Sequence, residues 1–501
     1  MASESVPTLA MSSCTLGIEK AKLVPAEFQA NVLEEIFKYL NVSDLLQVRC
    51  TCRRWKETVD DCSELMERVL IKFPENLVFD RNYQPVKLVP AKNVTFTESR
   101  VSSVQTWWPP IGHRLVHLTV KNCEMSFSML VKVLKHTPEL KRLDYLCPSY
   151  RAAVVDFGNL KLGKLECLSI DVPNEEILDI AIELRNLFPN LKTLKVLKQI
   201  STEALIKRKE NLGDVLEEVH LKSAGKLMDG LLQIERLKCL DISGIVTNKM
   251  LCKIGDACPK LQSIAVNTEQ KITLKPTFLE KMIELQNLTI RGREFEEKGH
   301  IIGIEKYFYW TRINFTELSN THLRQICLIG IEPEPFSLQQ YLKKSANIRI
   351  LIFKFCWFES WTEIFILAEK FDLLEQLELN SIYVKHQDYS LCEYFDKLKF
   401  LKIVFCTLPE TLLVTFFSLC PQLEEIYLRS VAGITDNVIG TMLKSTTMLQ
   451  KLTLVECSIT DAAIEYIAKS NLRLKQVTIE NCSNVSKEAV DRLKLVQQNS
   501  K

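Results

Sequence analysis

The sequence has no surplus of either charge, no long apolar run and none of the compact motifs that usually mark chemistry. Across 501 residues, 64 Lys+Arg stand against 62 Asp+Glu, so the net charge of +2 supplies little long-range attraction to phosphate or anionic lipid. Nucleic acid and membrane surfaces are therefore not expected partners. The longest apolar stretches, such as Phe365-Ile366-Leu367-Ala368 and Leu412-Leu413-Val414, fall far short of the roughly 20 residues that cross a bilayer. No basic segment leads into an apolar core after Met1, so no secretory leader is expected. That places the chain in the cytoplasm, the nucleus or both, with its 17 cysteines reduced. GxSxG, HExxH, a phosphate loop, a dinucleotide-binding glycine pattern and zinc-type CxxC pairs are all missing. The expectation is a non-enzyme with no cofactor, no metal and no catalytic residue.

What is present is a period. The pattern apolar-x-x-apolar-x-apolar occurs fifteen times, with first positions at Leu115, Leu140, Leu165, Leu191, Leu216, Leu237, Leu261, Leu285, Leu323, Ile348, Leu374, Leu398, Leu423, Leu449 and Leu474. Apart from one step of 38, the spacings run from 21 to 26. Independent amphipathic strands do not keep such a rhythm, and the length is that of a leucine-rich repeat, one strand plus one helix. A single unit cannot bury its three apolar residues. Stacked units make a parallel sheet lining the inside of an α/β horseshoe solenoid, with helices such as Asp461–Ala468 behind it.

Two further lattice positions agree. Cysteine stands eight residues after the first position in five repeats (Cys123, Cys356, Cys406, Cys457, Cys482), where the repeat accepts Asn or Cys. Proline stands two residues before it in four (Pro138, Pro189, Pro259, Pro421), halting the preceding helix. The cysteines are thus read as structural. Met66/Val69/Ile71 and Ala91/Val94/Phe96 fit the same template and suggest atypical capping repeats. The 38-residue step carries about 13 extra residues, around 291–310, read either as a projecting binding loop or as a longer outer connection. Trp107-Trp108-Pro109-Pro110 is expected to cap the start of the solenoid.

Residues 23–67 ignore the period and read as three short helices. Leu33, Ile36, Phe37 and Leu40 form one stripe. Asn41-Val42-Ser43-Asp44 breaks the helix, with Ser43 or Asp44 placed to cap a second one containing Leu45, Leu46 and Val48. A third passes through Trp55. The expected organisation is a flexible segment over 1–22, the helical module over 23–67, a connector over 68–112 and the solenoid over 113–501.

The string VLEEIFKYLNVSDLLQVRCTCRRWKETVDD, followed by Leu65-Met66, resembles an F-box. Its pairing with a downstream solenoid resembles the F-box and leucine-rich-repeat proteins. Their repeats often carry Cys-Pro before the strand and Ile-Thr-Asp before the helix, here Cys258-Pro259, Cys420-Pro421, Ile434-Thr435-Asp436 and Ile459-Thr460-Asp461. Where that family normally has Leu-Pro this chain has Phe28-Gln29, with Leu23-Val24-Pro25 upstream. The resemblance implies a substrate-recognition subunit of an SCF (cullin–RING) ubiquitin ligase. The F-box would bind a Skp-type adaptor, and through it cullin, while the solenoid holds a protein substrate. Expected adaptor contacts are Leu33, Ile36, Phe37, Leu40, Leu45, Leu46 and Trp55, shared with the module's own core.

For the substrate, strand positions i+2, i+4 and i+6 should face outward from the core. In the first half they are mostly polar, for example His117, Thr119, Lys121, Glu218, His220 and Lys222. In the second half Ile350, Ile352, Lys354, Phe400, Lys402, Val404, Tyr427 and Arg429 form an apolar and aromatic run edged by positive charge, the composition of an interface core. The rival reading is a repeat scaffold or inhibitor that binds a protein independently of ubiquitin, its F-box-like start serving as an end cap.

Overall fold

The computed structural model describes residues 30–85, 91–104, 107–147, 160, 162–171, 182, 185, 187–222, 234, 236–268, 273–274, 276–292, 311–316, 322–342, 347–369, 373–389, 395–470 and 474–499. Leu23-Val24-Pro25, Phe28 and most of the 291–310 insertion lie outside them. The chain divides into two compact units: residues 1–71 with 89–93, and residues 72–88 with 94–501.

In the first unit the helices are Ala30–Lys38, Val42–Arg49 and Arg53–Asp61, with a fourth short one, Ser63–Glu67, beyond the three expected. The second helix is capped by Asn41, whose side-chain oxygen accepts the Asp44 N–H at 2.9 Å, not by Ser43 or Asp44. Asn41 is the last extended residue, with ψ 168°, and only from that position can a short side chain reach the orphan N–H groups of the first turn. The Cys52 thiol caps the third helix, accepting from the Trp55 N–H at 3.4 Å. Arg68 closes the end of the first helix by donating to the Lys38 carbonyl at 2.9 Å and to that of Leu40. The core is Leu33, Phe37, Leu45, Val59, Leu65, Met66 and Val69, so Met66 and Val69 serve this helical core and not a repeat.

The second unit is built on fifteen strands, from His117–Lys121 to Gln476–Glu480, one for each period in the sequence. Each pairs in parallel with the next. From Ser263–Thr268 onward, equal lattice positions stand opposite one another: Glu378 faces Lys402, which faces Tyr427, which faces Thr453. Positions i, i+3 and i+5 are buried in repeat after repeat, as in Leu423, Ile426 and Leu428. Helices such as Glu410–Ser418, Asp436–Ser445 and Asp461–Lys469 pack behind them through their own apolar stripes. Val94 and Phe96 are buried in the same manner, so the period reaches back to the strand Asn93–Thr97. Trp107 and Trp108 do not lie on a surface. They fill the start of the solenoid core with Phe73, Phe79, Tyr83 and Phe96, and the Trp108 indole N–H donates to the Val133 carbonyl at 3.0 Å.

Three recurring devices hold successive repeats. The i+8 thiols are buried, and each donates back to the i+6 carbonyl, at 3.3 Å for Cys123 and Cys406 and 3.4 Å for Cys356 and Cys457. That carbonyl also accepts a backbone N–H from the preceding repeat, as Lys121 does from Glu98 at 3.0 Å and Val404 from Ser381 at 2.9 Å, so the thiol adds a second bond to its free lone pair. The i+7 residue turns the chain through the left-handed region, at Asn122, Ser381, Ser430 and Asn481, but also at Phe355 (φ 52°) and Phe405 (φ 50°). Finally, in the Ile-Thr-Asp motif the aspartate grips the next repeat. Asp436 accepts the Thr460 N–H and hydroxyl at 2.8 and 2.7 Å, and Asp461 accepts both from Ser486 at 2.7 Å. Thr460 and Ser486 in turn cap their own helices, accepting from Ala462 and Ala489.

Candidate functional site

The first helix carries two apolar stripes. One, Leu33 and Phe37, is buried in the helical core together with Leu45, so these three expected adaptor contacts belong to the interior. Stripe spacing identifies a buried face but does not tell which of two adjacent faces it is. The other stripe is Val32 and Ile36, continued by Tyr39 in the turn after the helix, at i, i+4 and i+7; Ile36 is 47% exposed and Tyr39 90%. Leu40, Leu46 and Trp55 pack partly against the core, Trp55 edge-to-face on Phe37 at 5.5 Å. Val32 and Tyr39 escaped the sequence reading because one stripe was counted where the helix has two. Among the described residues the exposed large apolar groups of this unit are Val32, Ile36, Tyr39, Val42 and Leu70, with Leu40, Leu46 and Trp55 partly buried against its core.

On the solenoid sheet, the outer positions of the two halves differ in how their charges are spent. In the first half, Asp144 receives His117 at 2.8 Å and Arg142 at 3.0 Å. Burial works against its charge, but the His117, Ser169 and Arg142 contacts prevail and hold its carboxyl down to about 2. Further along, Lys195 pairs with Glu218 at 3.1 Å, and the His220 ring lies 3.3 Å from Glu218 and 3.5 Å from Asp241. Arg291 reaches Asp241 with both terminal nitrogens, at 2.8 and 3.1 Å, and touches Asn267 at 3.2 Å. It crosses the Ser263–Thr268 strand to do so, where the small Ala265 stands in register with Asp241. Asp241, then Glu218, stabilise the imidazolium and raise the His220 pKa to about 9. Against the cost of burial, His220 and Arg291 draw Asp241 down to about 2. These groups answer one another.

In the second half, Ile350, Ile352, Lys354, Phe400, Lys402, Tyr427 and Arg429 are all partly exposed on one face of the sheet, as their alternation requires. Val404 is not. It is 6% exposed, a short side chain in register between the longer Asn380 and Arg429, which overtop it. Phe405, one residue on, is 45% exposed instead, carried outward by its left-handed backbone. The cations are partly spoken for: Lys402 lies 3.8 Å from Glu378 and over the Tyr427 ring, and Arg429 lies 3.2 Å from Glu456 and over the Phe405 ring. Lys354 makes no ion pair among the described residues. A cavity of about 390 Å³ opens beside Phe400, edged by Lys399, Glu424, Lys451 and Lys475. Among the described residues no group of three or more His, Cys, Asp or Glu is placed to hold a metal, and no helix is long and apolar enough to cross a membrane.

Comparison with known families bears on the first unit. Residues 30–72 match the F-box-like family. No curated protein matches the chain. Among solved structures, the mouse RP105/MD-1 complex is similar at 13% identity, over 84% of this chain and 73% of that one, with a TM-score of 0.42. An internalin from Listeria monocytogenes is similar at 12% identity, over 90% and 97%, with a TM-score of 0.32. The plant peptide hormone receptor RGFR1 in complex with RGF2 follows at 13%, over 88% and 75%, with 0.35. The repeat fold itself rests on the fifteen parallel strands and their common lattice. By architecture, then, the chain carries an F-box-like segment at residues 30–72, followed in sequence by a solenoid of leucine-rich-repeat type.

Proposed function

We propose that the chain is the substrate-recognition subunit of an SCF (cullin–RING) ubiquitin ligase. The helical module docks on a Skp-type adaptor and the outward face of the solenoid sheet holds a protein substrate. The observation that carries this reading is the second apolar stripe, Val32, Ile36 and Tyr39, left uncovered on the very segment that matches the F-box-like family. The chain supplies geometry and no covalent chemistry. Holding a substrate lysine near a charged ubiquitin-conjugating enzyme turns a bimolecular encounter into an effectively intramolecular one.

The test is co-purification of the full-length chain with adaptor and cullin, beside a variant carrying Ile36→Asp and Tyr39→Ala. Both residues are exposed, so the variant folds. The wild type recovers adaptor and the variant does not. A wild type that recovers no adaptor removes the reading and leaves the ubiquitin-independent scaffold in its place.

A further inference from the structure

Resting on the receptor reading, we infer that the solenoid takes an extended, acidic and hydrophobic segment of its substrate. An apolar side chain of that segment lies between Phe355 and Phe405, and a neighbouring carboxylate lies on Lys354.

The first observation is the lattice position of the two phenylalanines. The residue after each strand adopts a positive φ, and elsewhere in the solenoid that residue is mostly small or polar: Asn122, Gly330, Ser381, Ser430, Asn481. Such residues tolerate the left-handed region, whereas a bulky one there is an outlier. Phe355 and Phe405 keep this backbone all the same, and it carries the Phe405 ring outward, 45% exposed, instead of into the core. At Phe405, backbone strain retained while the ring stays exposed points to use at the surface.

The second observation is spacing. Phe355 and Phe405 are separated by one strand, whose equivalent residue is the short Ser381. Two strand spacings are about 10 Å, the separation at which apolar side chains from two facing layers interdigitate. A single bulky side chain fits over Ser381, flanked by both rings.

Charge supplies the third. In the first half the Asp144 and Asp241 clusters pair most of the charge internally, and among the described residues its ammoniums without an ion pair, Lys121 and Lys222, are followed in sequence by Asn122 and Ser223, not by an aromatic ring. In the second half Lys402, Arg429 and Lys451 each have a glutamate, at 3.8, 3.2 and 2.7 Å. Lys354, adjacent to Phe355, has none among the described residues. A basic segment would meet like charge here, and a neutral one would cover an unpaired ammonium, which is costly. A carboxylate beside the apolar anchor resolves both.

The test uses labelled twelve-residue peptides and fluorescence polarisation on the full-length protein. One peptide alternates Glu with Phe, a second alternates Gln with Phe, and a third alternates Glu with Ser. The Glu–Phe peptide binds, and the other two bind at least tenfold more weakly. Phe405→Ser places at this position the residue that Ser381 and Ser430 already occupy, so it folds, and it weakens the Glu–Phe peptide at least fivefold. Lys354→Glu removes the preference for Glu–Phe over Gln–Phe. Equal binding of the Glu–Phe and Gln–Phe peptides by the wild type overturns the inference, as does indifference of the Glu–Phe peptide to both substitutions. Adaptor recovery from the same preparations separates the two readings. Adaptor bound without peptide discrimination leaves the receptor standing and this inference refuted; peptide discrimination without adaptor does the reverse.

Discussion

The stability of the solenoid should fall with rising pH because of one histidine. His220 lies between Asp241 and Glu218, and these carboxylates raise its pKa from 6.5 to about 9. A group whose folded pKa exceeds its unfolded one contributes fully below the unfolded value and loses that contribution as pH rises through the folded one. The window here runs from pH 6.5 to 9, and within it the folded chain holds a proton that the unfolded chain has released. Stability declines at about 1.4 kcal/mol per pH unit across that window, or about 3 kcal/mol in all. With 26% of the ring exposed, solvent screening brings this nearer 2 kcal/mol. Urea midpoints at constant ionic strength and at pH 6.5, 7.5 and 8.5 read it directly, comparing wild type with His220→Gln. Other titrating groups cancel in the difference between the two proteins, which should narrow by about 2 kcal/mol as pH rises. A difference that stays constant with pH would show that His220 does not hold its extra proton, and the charge network would have to be redrawn.

The helical module offers a contrast between adjacent residues. Ile36→Ala should weaken adaptor binding about fivefold, since half of a side chain worth about 2 kcal/mol is available to a partner, and leave the thermal midpoint unchanged. Phe37→Ala, buried at the centre of a small core, should cost about 3–5 kcal/mol and melt the module, which circular dichroism would register; the opposite pattern would mean that the two faces are reversed. In the solenoid, Gly433 has φ 98°, and a methyl group there would run into the Leu408 carbonyl. Gly433→Ala should therefore lower stability by more than about 2 kcal/mol in the same urea assay, and wild-type stability would refute the close approach.

The solenoid was legible in the sequence because its register is written redundantly. Leucines, cysteines and prolines mark the same lattice from three chemical directions, and every one of the fifteen periods became a strand. The charge network was also within reach. His220 and Asp241 are both i+4 residues of successive repeats, and laying the repeats in columns brings them side by side. What spacing could not show was which of two adjacent helical stripes would be covered. Leu33 and Ile36 differ by three residues and in fate, and that is decided by the third and fourth helices packing on one side. Val404 misled for a similar reason: alternation aims a side chain outward, but whether it is seen depends on the length of its neighbours. The outward turn of Phe405 belongs to a backbone angle that no periodicity encodes.

The aspartate grip between successive repeats has a direction. Asp436 holds the cap of the repeat that follows it, and Asp461 holds the next, so each cap, Thr460 and then Ser486, takes its anchor from the repeat before it. Repeats in this part of the chain therefore depend on their predecessors more than on their successors. Losing the last helix would leave an idle carboxylate in water, whereas damage further up would strip the cap from everything in line after it. The stack has a polarity of inheritance: order is handed down from the amino-terminal side, and wear is best tolerated at the carboxyl end.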